Sequence, residues 1–544
     1  MRYITLLFFV CNFCFAQQIA FSSSEKAALI SLYHSLDGEN WSVKWDLTKD
    51  PKNWYGIKTK NGNVTEIYLN ANNLKGEIPT IISSFQNLEI LDLSSNNLKG
   101  EIPTSISSLS NLNTLNLSHN RLEGNPQQSL NSLSLLQHLY LGYNNFVIPD
   151  FSGFLQNLPN LYSLDIANTG ITTLPNNLAS KSNLTLLNLS NNTISNGWEH
   201  LSQLKELKKL HLANTGISKF PSSLASLTQL HTLDIGHNSI SDFTGLANLK
   251  NLDWISLENN GLEQIPNEVF SLQNLVHINL NFNQIKSIST LTNIKTLQQI
   301  FANSNTLSGD FPSDILSLQN LQMISLNSND LSGAIPQNIP AVTLLQNNKY
   351  DRKNILNFIS NRNNYTLFDF SPQRYDEPIT DSVALGKSIN LQQSLSSGDG
   401  YTFTWLKHFD EYIGGNTEQL SFDKIEAKDY ADYTVEAYSL TPNINGSYVE
   451  LSLFREPITL VEGENLATDE LAKGLAIYPN PTKDFIYIKS DNIKIELATL
   501  YDMSGKVILQ SRTFPINVRA FPTAAYFLVL KTELGEKVYK IIKN

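Results

Sequence analysis

A chain of 544 residues is too long for one hydrophobic core, and its length calls for several domains. With 41% hydrophobic and 16% charged residues, the composition is that of a soluble protein. The formal net charge of -11, with no basic stripe, argues against a nucleic-acid or anionic-membrane partner, since either needs clustered Lys and Arg.

In chain order, residues 1–16 read as a secretory signal. Arg2 supplies the positive charge, "LLFFVCNFCF" the apolar run, and Ala16 the small residue before a cut at Gln17. Cys11 and Cys14 both lie in this discarded stretch, so their C-x-x-C spacing carries no redox chemistry, and the exported chain is expected to lack disulfides. No other apolar run approaches the roughly 18 residues needed to span a bilayer.

Residues 17–63 read as a cap. "SEKAALISLYHSL" has helical periodicity with Ser24 as the expected N-cap, followed by the Trp-rich "WSVKWDLTKDPKNWYGI". Trp41, Trp45 and Trp54 are expected in the core.

From Val64 to Tyr350 the chain repeats itself. "NNLKGEIPTIISS" at Asn72 returns at Asn96 as "NNLKGEIPTSISS", and the template L-x-x-L-x-L-x-x-N-x-L recurs every 22 to 25 residues. Twelve copies place Asn72, Asn96, Asn120, Asn144, Thr169, Asn192, Thr215, Asn238, Asn260, Asn283, Asn305 and Asn329 in one column, and a decayed thirteenth is expected near "LLQNNKY". Each L-x-L is a short strand with one apolar face, which is buried only by stacking on the next copy. The column Asn turns the chain, and its amide can satisfy backbone groups that the turn leaves open. This pattern resembles the leucine-rich repeat family. The resemblance implies a horseshoe with a parallel sheet on its concave face and short 3-10 or extended segments outside. "GEIP" (Gly76–Pro79, Gly100–Pro103), "GDFP" and "GAIP" resemble plant-type repeats, and the Trp-rich segment resembles their N-terminal cap without its cysteines.

Residues 351–375, which include "FDFSPQ", read as a connecting segment. Short alternating strands then fill residues 376–460, where "KDYADYTVEAY" resembles the tyrosine-corner phrase of immunoglobulin-like domains, with Tyr433 at the corner and Val435 in place of Cys. An acidic linker, 461–474, leads to residues 475–544. There Tyr478, Pro479, Asn480 and Pro481 form "YPNP", Gly505 and Lys506 lie in "LYDMSGKVI", and Tyr526 lies in "FPTAAYFLVL". These phrases resemble the type A C-terminal sorting domain of the type IX (Por) secretion system. The resemblance implies an export machinery as partner and a chain that is released or attached to the outer-membrane surface after processing at both ends.

Recognition is expected on the concave face, whose side chains point outward from a rigid ladder. Its exposed aromatic and polar residues include His119, His138, Tyr140, Tyr143, His211, Asp234, Trp254, His277, Phe282 and Phe301. A glycosidase pair needs roughly 5–9.5 Å between carboxyl groups. Asp92 and Asp165 are three strands apart, about 14 Å, and only the diagonal neighbours Asp234 and Glu258 come within range. The histidines fall in different lanes, so no metal site and no cofactor is expected. The expectation is therefore a non-enzymatic, monomeric binding or adhesion protein that takes a protein or glycan ligand. The competing one is a secreted hydrolase that binds polysaccharide or peptide through its repeats.

Overall fold

A computed structural model describes residues 21–360, 367–442, 448–463, 475–490, 493–533 and 535–544. The signal sequence and most of the acidic linker lie outside the described residues. The chain forms two compact units, one running to Tyr375 and including Tyr438–Phe454, the other Asp376–Ala437 with Arg455–Asn544.

The first unit opens with the helix Ser23–Ser35. Its N-cap is Ser22 rather than the expected Ser24, and the Ser22 hydroxyl accepts the Glu25 N–H at 3.4 Å. Beyond the helix Trp41, Trp45 and Trp54 are 2–4% exposed; Trp45 meets Trp41 edge to face and stacks on Trp54, both at 4.9 Å between centroids, with Tyr33 closing the cluster at 5.0 Å from Trp41. Each indole N–H donates to a backbone carbonyl, of Leu36, Tyr55 and Asp46 respectively. Satisfied, interlocked aromatics thus hold the cap without a disulfide. The buried Glu25 carboxylate joins cap to array by accepting the Val64 N–H at 2.6 Å.

The array is a 15-stranded sheet, parallel after its first hairpin, with a rung of three residues in most copies. In most rungs the central Leu or Ile is buried and its neighbours are half-covered on the open face, as period-2 alternation demands. Opposite the sheet the chain returns through short 3-10 turns such as Thr80–Ser84 and Ser222–Ser226.

The Asn column does the work its chemistry allows. The Asn96 amide donates to the carbonyls of Leu69, Leu93 and Ser94, and its oxygen accepts from Asn72 and Leu74 N–H, which ties two rungs together. Thr169 donates to Ile166 and Thr215 to Leu212, each within its own copy, and Thr215 adds a long 3.5 Å contact to Asn238 Oδ1 of the next.

The ladder does not stop at Tyr350. Asn348 donates to the Leu326, Leu345 and Gln346 carbonyls and accepts the Leu331 N–H as a column residue does, and the strand Leu367–Asp369 pairs in parallel with Val342–Leu344. Gln373 then takes the column position. Its amide donates to Leu345 and Phe370 carbonyls, and its oxygen accepts the Tyr350 N–H. Residues 367–373 of the segment expected to connect two domains form the last rung of the first.

In the second unit Trp405 is fully buried and donates to the Thr417 carbonyl. The Tyr433 hydroxyl donates to the Asp429 carbonyl at 2.6 Å, the bond of a tyrosine corner, with Val435 buried two residues on. The C-terminal region forms a four-stranded antiparallel sheet in the order Val507–Ser511, Ile495–Tyr501, Ala524–Thr532, Gly535–Lys543, beside a three-stranded one.

Candidate ligand-binding face

Strand register sets the face. Cα partners run His138, Ser163, Leu186, Lys209, Thr232, Trp254, His277 and Gln299 along one lane. A second lane carries Tyr140, Asp165, Asn188, His211, Asp234, Ser256, Asn279 and Phe301.

A third lane, one residue before the Asn column, has a backbone property that periodicity alone does not reveal. Every member from Ala71 to Ser328 is left-handed, with φ between 48° and 59°. Asn tolerates this region, and Asn168, Asn191, Asn214 and Asn259 take it. His119, Tyr143, His237 and Phe282 adopt it as bulky rings, at a cost of roughly 1–2 kcal/mol each. Because the turn throws this lane out over the end of the sheet, its side chains form a rim.

Rim and floor meet in an open cavity of about 650 Å³ lined by Tyr143, Asn191, Ala213, Asn214, Asp234, His237, Trp254, Ser256, Glu258, Asn259 and Asn279. Of the expected residues it gathers Tyr143, Asp234 and Trp254. His119 stands directly behind, its ring parallel to that of Tyr143 at 4.4 Å and 9°. His211 lies 3.9 Å from Asp234. The others lie outside the lining. His138 sits 3.0 Å from Ser163 Oγ with its pKa lowered by burial, Tyr140 is half-buried beside it, His277 and Phe282 belong to the copy that gives Asn279 to the lining without joining it themselves, and Phe301 stands on the next rung. Phe282 is 56% exposed. The cavity therefore takes Tyr143 and Trp254 from rungs well separated along the ladder.

The floor is acidic. Glu258 accepts from Asn279 Nδ2 at 2.7 Å and lies 3.4 Å from His237 Nε2, while Asp234 accepts the Gly236 N–H at 3.1 Å. Burial pushes the Asp165 carboxyl above its ordinary range, against the Ala167 N–H and Asn188 bonds and the nearby His211 and His119. Gly142 makes room for this carboxyl, since a Cβ there would fall 2.4 Å from its oxygen. The Tyr143 hydroxyl is raised by burial and then by Asp165 and Asp234. Among the described residues, no three His, Cys, Asp or Glu side chains form a group able to hold a metal.

In the C-terminal region the motif residues are mostly structural. Asn480 accepts the Ile542 N–H at 2.8 Å and donates to the Lys540 carbonyl at 2.7 Å. Pro479 and Pro481 both follow cis peptide bonds. Gly505 is left-handed in a turn where Asp502 accepts the Ser504 and Lys506 N–H groups, and the Tyr526 hydroxyl donates to Pro522. Tyr478 is 51% exposed and stacks on Tyr487 at 5.8 Å.

Comparison with known proteins gives three family matches. Residues 476–544 match a secretion system C-terminal sorting domain, residues 205–248 a two-copy leucine-rich repeat model, and residues 62–122, 86–146 and 250–307 a second leucine-rich repeat model. Among solved structures, an internalin (inlF) of Listeria monocytogenes is 22% identical over 65% of this chain and 96% of its own, with TM-score 0.46. A Leptospira interrogans leucine-rich repeat protein is 26% identical over 54% of this chain and 80% of its own, TM-score 0.43. The ectodomain of the Arabidopsis thaliana receptor kinase GASSHO1/SCHENGEN3 is 22% identical over 65% and 53%, TM-score 0.44. No curated protein matches. Its repeats and its closing domain make the chain a leucine-rich repeat protein with a type IX secretion sorting domain, exported to the cell surface or released.

Proposed function

We propose that this chain is a non-enzymatic, monomeric binding protein whose concave face recognises a protein or glycan outside the cell. The observation that carries the reading is the cavity between Tyr143 and Trp254, where two rings from rungs far apart in sequence line one open space. Aromatic side chains on a rigid surface provide large contact area at low entropic cost. Tyr143 also holds a backbone conformation that Asn occupies more easily, and such retained strain is a mark of function.

The lanes themselves supply gentle substitutions. Tyr143→Asn takes the residue of neighbouring rungs, and Trp254→Thr takes that of Thr114 and Thr232. The pair is expected to abolish capture of the cell-surface ligand by the full chain while leaving its thermal melt nearly unchanged. Unaltered capture by a folded double variant would remove the cavity from the binding site. One observation favours the hydrolase reading, the raised carboxyl of Asp165 beside the same cavity. Turnover of a polysaccharide or peptide that disappears in Asp165→Asn would decide for it.

A further inference from the structure

The cavity has a charge as well as a shape. Asp234 and Glu258 stand on its floor, and no Lys or Arg is among its lining residues. A carboxylate offers about four acceptor sites. Asp234 Oδ1 takes one bond from Gly236, with His211 Nδ1 3.9 Å from Oδ2, and Glu258 takes one from Asn279, with His237 3.4 Å away. Acceptor capacity is left on both, in a cavity that the Tyr143 and Trp254 rings also line, and aromatic faces attract cations. The parallel His119 ring covers one side of Tyr143. Along the rim Asn214 donates to Asn191 Oδ1 at 2.9 Å and Asn259 Nδ2 lies 3.1 Å from His237 Nδ1, which leaves each amide part of its hydrogen-bonding capacity for a peptide backbone.

Resting on the binding-face reading above, we propose that this cavity takes an arginine or lysine side chain of an extended basic segment of a partner protein. The cation hydrogen-bonds to the open lone pairs of Asp234 and Glu258 on the Trp254 side of the cavity, while Tyr143, five rungs away, forms its far wall. A guanidinium fits best, because its planar fork matches a carboxylate and stacks on a ring.

The test uses the full chain and three probes: a synthetic peptide of alternating Arg and Gly, the same peptide with citrulline for Arg, and a neutral oligosaccharide. Citrulline keeps the shape of arginine and removes its charge. The Arg peptide is expected to bind, to weaken at high ionic strength, and to lose about tenfold or more in affinity when citrulline replaces Arg or when Asp234→Asn and Glu258→Gln are combined. Both substitutions keep the oxygen that accepts the Gly236 or Asn279 donor, and a thermal melt checks the fold. No binding of the Arg peptide, equal binding of the citrulline peptide, or indifference to the double variant overturns the proposal. An oligosaccharide that binds regardless of Asp234→Asn and Glu258→Gln but is lost in Tyr143→Asn with Trp254→Thr also overturns it, while leaving the binding face in place. If that second pair affects no probe and no cell-surface capture, the face reading itself falls.

Discussion

At the residue scale, one core position breaks the apolar rule. Lys181 occupies the column filled by Leu109, Leu133, Leu158, Leu204 and Leu227; it is 6% exposed and donates from Nζ to the Leu158 carbonyl at 2.9 Å. Burial lowers its pKa from the ordinary 10.5. The unfolded chain therefore binds the proton more tightly than the folded one, and stability rises with pH through the window below 10.5. Lys181→Met is expected to gain about 1 kcal/mol at neutral pH, since an apolar group replaces a buried cation. The gain should shrink as pH approaches 10, and paired melts at several pH values check it. A constant difference across that range would mean that the amine is not desolvated. The column of Asn residues was fully legible in the sequence, because a repeated amide in a fixed place has one structural use. The left-handed lane was not, since its members share a φ rather than a side-chain type. Asn168, Asn191, Asn214 and Asn259, all beside the column, were the signal.

At the scale of the element, the repeat ended later than periodicity suggested. In "FDFSPQ" two Phe replace the alternating Leu, and Gln replaces Asn one methylene further out, so the template is obscured while its physics survives. The amide still reaches the Leu345 carbonyl of the preceding rung. Gln373→Ala leaves buried donors and acceptors unpaired, at roughly 1–3 kcal/mol per orphaned group. Hydrogen exchange should then show Val342–Leu344 and Leu367–Asp369 losing protection while the central rungs keep theirs. Loss spread evenly along the array would instead make Gln373 a general rather than a local clamp. The cap shows the opposite case. The sequence named its three Trp residues as core, and each is buried, because a large ring with a donor has few other places to go. The cavity lay between these extremes. Its Tyr, Asp and Trp were on the sequence's list, but the list spread over ten residues because a single chain does not reveal how far a turn carries a rim side chain over the sheet.

At the scale of the whole molecule, an exported chain with no cysteine after the signal depends on hydrogen bonds and packing at both ends. The C-terminal region has its own clamp. Asn480 bonds to Ile542 and Lys540, and Thr482 exchanges backbone bonds with Ile542 and Asn544, so the final strand is held across its last residues. A sorting domain works by being recognised, and recognition requires that this end keep its shape through export. Asn480→Ala removes both bonds and should cost about 2 kcal/mol. The expected outcome is loss of the protein from the cell surface and medium, with full-length chain retained inside, read by fractionation and immunoblot. Asn480→Asp separates shape from recognition. It keeps the oxygen that accepts the Ile542 N–H but loses the donor to Lys540, so export should fall to an intermediate level if folding of this end is what the machinery reads. Export abolished as fully as in Asn480→Ala, from a domain that still melts normally, would make the Asn480 side chain itself part of the recognised surface.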